Sequence, residues 1–148
     1  MYNINDFIIH KNNIIYQLIK INAHTCSLIN IHNQKVITAN INEIVRKVLT
    51  VDELMEVIER IPYIRTLKIT SERNRQELYQ KSMNKYDEIE WIKLIKTIYI
   101  RIKRNQAQDY EQEYFKTAQN IFHDEVTLLL KISFDDVETY IKNKIMEF

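Results

Sequence analysis

The chain has 148 residues, 45% of them hydrophobic, and a formal net charge of +1, enough apolar material for one core or two small ones. One cysteine, four scattered histidines and no glycine exclude an internal disulfide, a Cys/His structural zinc site and every glycine-dependent phosphate loop. No window reaches the ~18 uninterrupted apolar residues of a membrane span, and MYNINDFIIH lacks the basic start and apolar run of an export signal, so a soluble, cytoplasmic protein is expected.

The first 49 residues read as strands. Residues 6–10 (DFIIH) are short and apolar, and Asn12-Asn13 is a turn signal. Residues 14–21 (IIYQLIKI) mix apolar with polar positions as a half-buried strand does. Asn22-Ala23-His24 turns into 25–31 (TCSLINI), and His32-Asn33-Gln34 turns into 35–39 (KVITA). Residues 40–43 suit one helical turn, and 45–49 (VRKVL) a fifth short strand. Five short strands with tight turns are too few for a sandwich and suit a small, bent, barrel-like sheet. Without glycine, positions that need φ > 0 fall mostly to asparagine.

Helical periodicity begins at Thr50. Thr50 and Glu53 form a capping box, and Leu54, Val57, Ile58 and Ile61 make the apolar stripe of a helix ending before Pro62. Residues 71–84 suggest a second, highly charged helix opened by Ser71. Asp87 caps a third, over 88–104 (EIEWIKLIKTIYIRIKR), which reads as the central packing element. Trp91, Leu94, Ile95, Ile98 and Ile102 fall on one side of it, while Lys93, Lys96 and Arg104, with Lys103 close by, form a basic stripe on the other. In residues 109–130, Tyr110, Tyr114, Phe115, Ala118, Ile121, Phe122, Val126 and Leu129 recur at helical spacing. Ser133 or Asp135 caps a last helix carrying Val137, Ile141 and Ile145. The expected class is α+β, with a β domain over 1–49 and an all-α domain of about five helices over 50–148.

Charge is segregated along this plan. Residues 60–104 hold twelve basic and five acidic side chains, whereas 105–148 hold four and nine. A basic surface facing an anionic partner, nucleic acid above all, is one reading; a solvated face balanced by acidic neighbours is the other. The positions suited to backbone phosphates are Arg73, Arg75, Lys93, Lys96, Arg101, Lys103 and Arg104. No base-reading helix is apparent, so such binding would be indifferent to sequence.

Catalytic chemistry finds little support. His10, His24 and His32 have no evident carboxylate partner, and His123 precedes Asp124-Glu125 at a spacing that sends the groups to different sides of a helix. Cys26 within TCSLI reads as a sheet or core residue, and Trp91 as core. The chain is expected not to be an enzyme, and to need no cofactor or metal.

From about Val45 onward the sequence resembles the CarD family of bacterial transcription regulators (the CarD/CdnL group). The resemblance rests on the order and spacing of VRKVLTVDELMEVIERIPYI (45–64), WIKLIKTIYIRIKR (91–104) and EYFKTAQNIFHDEVTLLLKISFDDVETYI (113–141), about two-thirds of the chain. Nearer the start, Asn5 stands where the family has glycine before Asp6. The family's next glycine-bearing turn appears as Asn12-Asn13-Ile14, and the following hairpin is reduced to Asn22-Ala23-His24.

The resemblance implies a Tudor-like β-barrel that binds the β subunit of RNA polymerase. It also implies a helical domain that touches duplex DNA at the upstream edge of the transcription bubble, stabilising the open promoter complex without reading sequence. By position, the polymerase-facing residues map to Lys20, His24, Ile29, Val36, Ile37 and Thr38, and an exposed strand edge there would suit pairing with another protein. One departure stands out. Arg75 matches the arginine of the family's Trp-x-x-Arg pattern, but Glu72 occupies the place of the tryptophan wedge, and Trp91 lies on another helix. The expected protein is a monomeric regulator that binds polymerase and the promoter DNA backbone. The alternative is a protein–protein adaptor that never contacts DNA.

Overall fold

Strict alternation of side chains builds the N-terminal sheet. Its strands are β1 (Phe7–His10), β2 (Ile15–Asn22), β3 (Thr25–Asn30), β4 (Val36–Asn40) and β5 (Ile44–Lys47). All pair antiparallel, in the order β4-β3-β2-β1-β5. Tyr16 and Leu18, Cys26 and Leu28, and Ala39 project to one face and close a core with Ile8 and Ile44, while Tyr2, Ile14, Ile37 and Ile41 pack at its margin. Register shifts between Ile9 and His10 and between Leu18 and Lys20 mark bulges, which bend and twist a sheet. The sheet is nevertheless not closed. A 3₁₀ turn over Ile41–Glu43 joins β4 to β5 where a barrel would need a ladder between them, so both remain edge strands.

The computed structural model describes residues 1–145 apart from the side chains of Phe134, Glu138, Ile141, Lys142, Lys144 and Ile145. The chain divides into two compact units, Met1–Leu49 and Thr50–Phe148. The second holds α1 (Val51–Arg60), α2 (Arg75–Met83), α3 (Glu88–Lys103), α4 (Asp109–Leu130) and α5 (Phe134–Ile145). The Thr50 hydroxyl accepts from the Glu53 N–H at 3.2 Å, and the Glu53 carboxylate accepts from the Thr50 N–H at 2.9 Å. Asp87 accepts from the Ile89 N–H at 2.8 Å. At α5 the capping group is Ser133, whose hydroxyl accepts from Asp136. The helix expected over 71–84 is instead a 3₁₀ turn, Glu72–Asn74, followed by α2.

The centre of the helical unit is α4 rather than α3. It packs against each of the other four helices, and Ala118, Ile121, Phe122 and Val126 are buried along it. The same enclosure buries His123, Asp124 and Glu125 in succession around the helix. On α3, Trp91, Leu94, Ile95 and Ile98 are buried as the stripe requires, and so are Ile92, Lys96 and Thr97 on its other sides. Val137 of α5 is buried too; the side chains of Ile141 and Ile145 lie outside the described residues.

Six described residues take positive φ: Asn5 (77°), Asn13 (66°), Gln34 (62°), Tyr86 (49°), Asn105 (56°) and Lys131 (56°). Asparagine thus serves three of the six. At Lys131 the left-handed residue terminates α4, a place that glycine ordinarily fills because it has no Cβ to clash. Lys131→Gly should therefore stabilise the chain by ~0.5–1 kcal/mol and Lys131→Val should destabilise it, both read by thermal melting.

Candidate functional site

The charged residues of the helical unit are organised by Glu111, which has no exposed surface. As the third residue of α4 it accepts from the Gln108 N–H at 2.8 Å, capping its own helix. It also accepts from the Tyr79 hydroxyl on α2 at 2.7 Å and from Arg101 Nε on α3 at 2.6 Å, with a second Arg101 bond at 3.1 Å. Arg75 bonds Tyr79 at 3.4 Å and grips Glu72 in a forked pair at 2.5 and 3.0 Å. Arg101 closes the ring with Glu72 at 3.8 Å. Burial alone would raise the Glu111 carboxyl; Arg101, the Gln108 N–H and Tyr79 together hold it below the ordinary carboxylate range. Burial, and then Glu111, push the Tyr79 hydroxyl up.

This ring accounts for two of the seven cations expected at DNA. Arg75 is buried and Arg101 half-buried, each committed to carboxylates inside the unit. Lys96 is a clear correction to the expected basic stripe. Its side chain is 0% exposed, and Nζ donates to the carbonyls of Ile61 and Ile64, the latter at 2.6 Å. These carbonyls belong to the first residue of the 3₁₀ turn that continues α1 and to the residue just after it, and the Ile61 carbonyl also accepts from the Ile64 N–H at 3.2 Å. Burial pulls the Lys96 ammonium down to about 8. Lys93 is half-buried and pairs with Glu90 at 3.0 Å. Arg73, Lys103 and Arg104 stand exposed with no ion pair among the described residues.

On the sheet, the register assembles most of the residues assigned to polymerase. Ile29 pairs across strands with Val36, and Ser27 with both Thr38 and Lys20, which places Lys20, Ile29, Val36 and Thr38 on the face opposite the core. Ile37 lies on the core side and His24 in the exposed β2–β3 turn. The hydrogen-bond phase also shows which backbone groups the β4 edge presents. Asn30 donates to Lys35 at 2.9 Å and Ile41 to His24 at 2.9 Å, so the alternating antiparallel pattern turns Ala39 and Ile37 toward β3 and Val36, Thr38 and Asn40 outward. Glu43 caps the Asn40 N–H at 3.3 Å. Val36 and Thr38 are left as the open stretch of the edge, and Val36 is 56% exposed.

The remaining titratable groups fall into structural places. Cys26 is buried, its thiol pushed up by burial and 3.6 Å from the Ala39 carbonyl. His10, expected to lack a carboxylate, meets Glu43 at 2.9 Å across 33 residues of sequence. Among the described residues no cluster of three or more His, Cys, Asp or Glu could hold a metal, and no helix is long and apolar enough to cross a membrane. The Glu72–Arg75–Tyr79–Glu111–Arg101 ring was not apparent from sequence; its local signals are the capping pattern Gln108 to Glu111 and the three- and four-residue spacings of Glu72, Arg75 and Tyr79. No family model matches the chain, and neither does any curated protein.

Two predictions follow from these buried charges. Glu111→Gln should cost about 3 kcal/mol. Because the folded carboxyl lies below its ordinary 4.5, its contribution is present above that pH and lost as pH falls through the folded value. Denaturation of the variant should accordingly show a flatter loss of stability below pH 4.5 than wild type. For Lys96 the dependence has the same sign, at higher pH. Above about 8 the folded chain binds fewer protons here than the unfolded chain, which holds its proton to 10.5. Wild-type stability should rise relative to Lys96→Met as pH increases across that window, measured by urea denaturation at fixed ionic strength.

Proposed function

We propose that this chain is a non-enzymatic transcription regulator that binds the RNA polymerase β subunit through its sheet and the upstream promoter DNA backbone through its helical unit. The observation that carries the reading is the β4 edge. Val36 and Thr38 point backbone N–H and C=O groups outward from β3, and Lys20, Ile29 and Thr38 flank them on one face. A partner strand added there gains main-chain bonds, with side chains on the outer face giving selectivity. Two further observations support the resemblance to the CarD family in its weakest third. Asn5, in the place of the family's glycine, and Asn13, within the segment 12–14 that matches the family's next glycine-bearing turn, both take positive φ. In this reading the bulged sheet serves as the family's Tudor-like barrel, open where β4 would meet a partner.

The DNA-facing half is narrower than the sequence implies. Arg73, Lys103 and Arg104 remain for phosphates, with Lys93 partly available. Glu72, in the place of the tryptophan wedge, is bound to Arg75, so it acts as a support for α2 and not as an apolar wedge. These same facts favour a second reading, an adaptor that binds its protein partner through β4 and leaves DNA alone.

Co-purification of the full chain with the polymerase β-subunit lobe separates the possibilities. Wild type should be retained. Thr38→Pro removes an outward N–H without touching the β3–β4 ladder, and Val36→Lys places a charge on the edge; each should reduce capture at least tenfold with unchanged far-UV circular dichroism. Absence of wild-type capture would sink the polymerase reading. In the polymerase complex, charge reversal at Arg73, Lys103 and Arg104 should weaken upstream DNA protection, whereas no protection by wild type would select the adaptor.

A further inference from the structure

Between α1 and α2, residues 60–70 carry Arg60, Arg65 and Lys68 and no carboxylate. All three cations are exposed, with no ion pair among the described residues. In their midst Tyr63 is 84% exposed. It sits on the 3₁₀ turn Ile61–Tyr63, whose neighbours Ile61 and Ile64 are buried and whose carbonyls are held by Lys96. Beyond the turn, the Leu67 N–H donates to the Thr97 hydroxyl at 2.8 Å, tying the segment to α3. Leu67 and Ile69 turn partly inward while Thr66, Lys68 and Thr70 face solvent. The aromatic ring is therefore presented from a backbone anchored on both sides.

We propose that this segment is a nucleic-acid site that stacks an unpaired base on Tyr63 and holds the adjoining phosphates with Arg60, Arg65 and Lys68. The inference rests on the nucleic-acid half of the function proposed above and locates it on residues not assigned there. A lone exposed ring among cations and hydroxyls fits a base-stacking platform, since aromatic stacking tolerates any base and cations track the backbone. A protein-binding hot spot would instead surround the ring with apolar neighbours, and the other large apolar side chains of the segment are buried or half-buried.

The test is fluorescence anisotropy of the full chain with a labelled 20-nucleotide oligothymidine, a forked duplex and a blunt duplex, over a salt series. Wild type should prefer the fork and the single strand. Tyr63→Ala should weaken both by about 5- to 100-fold and leave the blunt duplex within twofold, while Tyr63→Phe retains binding. Replacing Arg60, Arg65 and Lys68 together by Gln should flatten the single-strand salt slope by about 2. Thermal melts of these surface variants should overlay wild type. An unchanged fork affinity in Tyr63→Ala, an equal loss on blunt duplex, or equal competition by polyglutamate would overturn the proposal, the last pointing to an acidic protein partner. Blunt-duplex binding that depends on Arg73, Lys103 and Arg104, together with fork and single-strand binding that also ignores Tyr63, would overturn this inference and leave the promoter-DNA reading standing. Tyr63-dependent fork binding without that duplex contact would do the reverse, and no binding to any of the three would end both.

Discussion

A single carboxylate with no exposed surface joins three helices of the C-terminal unit. Glu111 takes one bond from α2, two from α3 and one from the start of its own helix. A buried carboxylate is costly unless its lone pairs are occupied by well-placed donors, so the arrangement is close to all-or-none. Moving α2 or α3 would leave a desolvated charge short of partners. The aromatic seam reinforces it, with Tyr79 packed edge-on against Tyr114 at 5.7 Å and Tyr99 stacked near Phe115 at 6.4 Å. Apolar burial supplies the bulk of the driving force, while this ring selects one relative placement of the helices.

A chain without glycine must find its left-handed residues elsewhere, and how it does so shows where local propensity yields. Asn5, Asn13 and Asn105 bear positive φ at modest cost, because asparagine enters the left-handed region more readily than most residues with a Cβ. Tyr86 and Lys131 are not residues of that kind, and they stand where a helix has just ended. Tertiary packing of the helices on either side fixes the turn, and the residue at its corner accepts the strain.

The periodic features were legible in the sequence. Strand limits, the Thr50 and Asp87 caps, the span of α4 and the burial of Trp91 all follow from patterns of two or about four residues, which report on local geometry. What periodicity could not reveal were pairings between residues distant in sequence. Lys96 falls on the polar side of the α3 stripe, yet it is buried, because the carbonyls of Ile61 and Ile64 lie more than 30 residues away. Arg101 read as a free cation for the same reason, its carboxylate partners lying on other elements, and His10 read as unpartnered although Glu43 waits 33 residues on. Arg75 differs, since Glu72 is only three residues back. Barrel closure likewise depends on whether β4 meets β5, which no strand pattern encodes.

These pairings change what the charge count means. Residues 60–104 hold twelve basic side chains, but Arg75, Lys96 and Arg101 are spent inside the unit, where they fix carbonyls and carboxylates instead of phosphates. Internal use of a cation still serves recognition if it reduces the disorder of the groups that remain outside, since ordering a loop on binding subtracts from affinity. Lys96 does this for the turn that carries Tyr63, and the Glu72–Arg75 pair does it for the chain entering α2 beside Arg73. The exposed cations of the helical unit are consequently fewer than the sequence suggests, and those beside these anchors sit on backbone already held in place. By the same logic the Glu43 cap on Asn40 leaves the β4 edge open at Val36 and Thr38, a length suited to one short partner strand rather than to indiscriminate pairing.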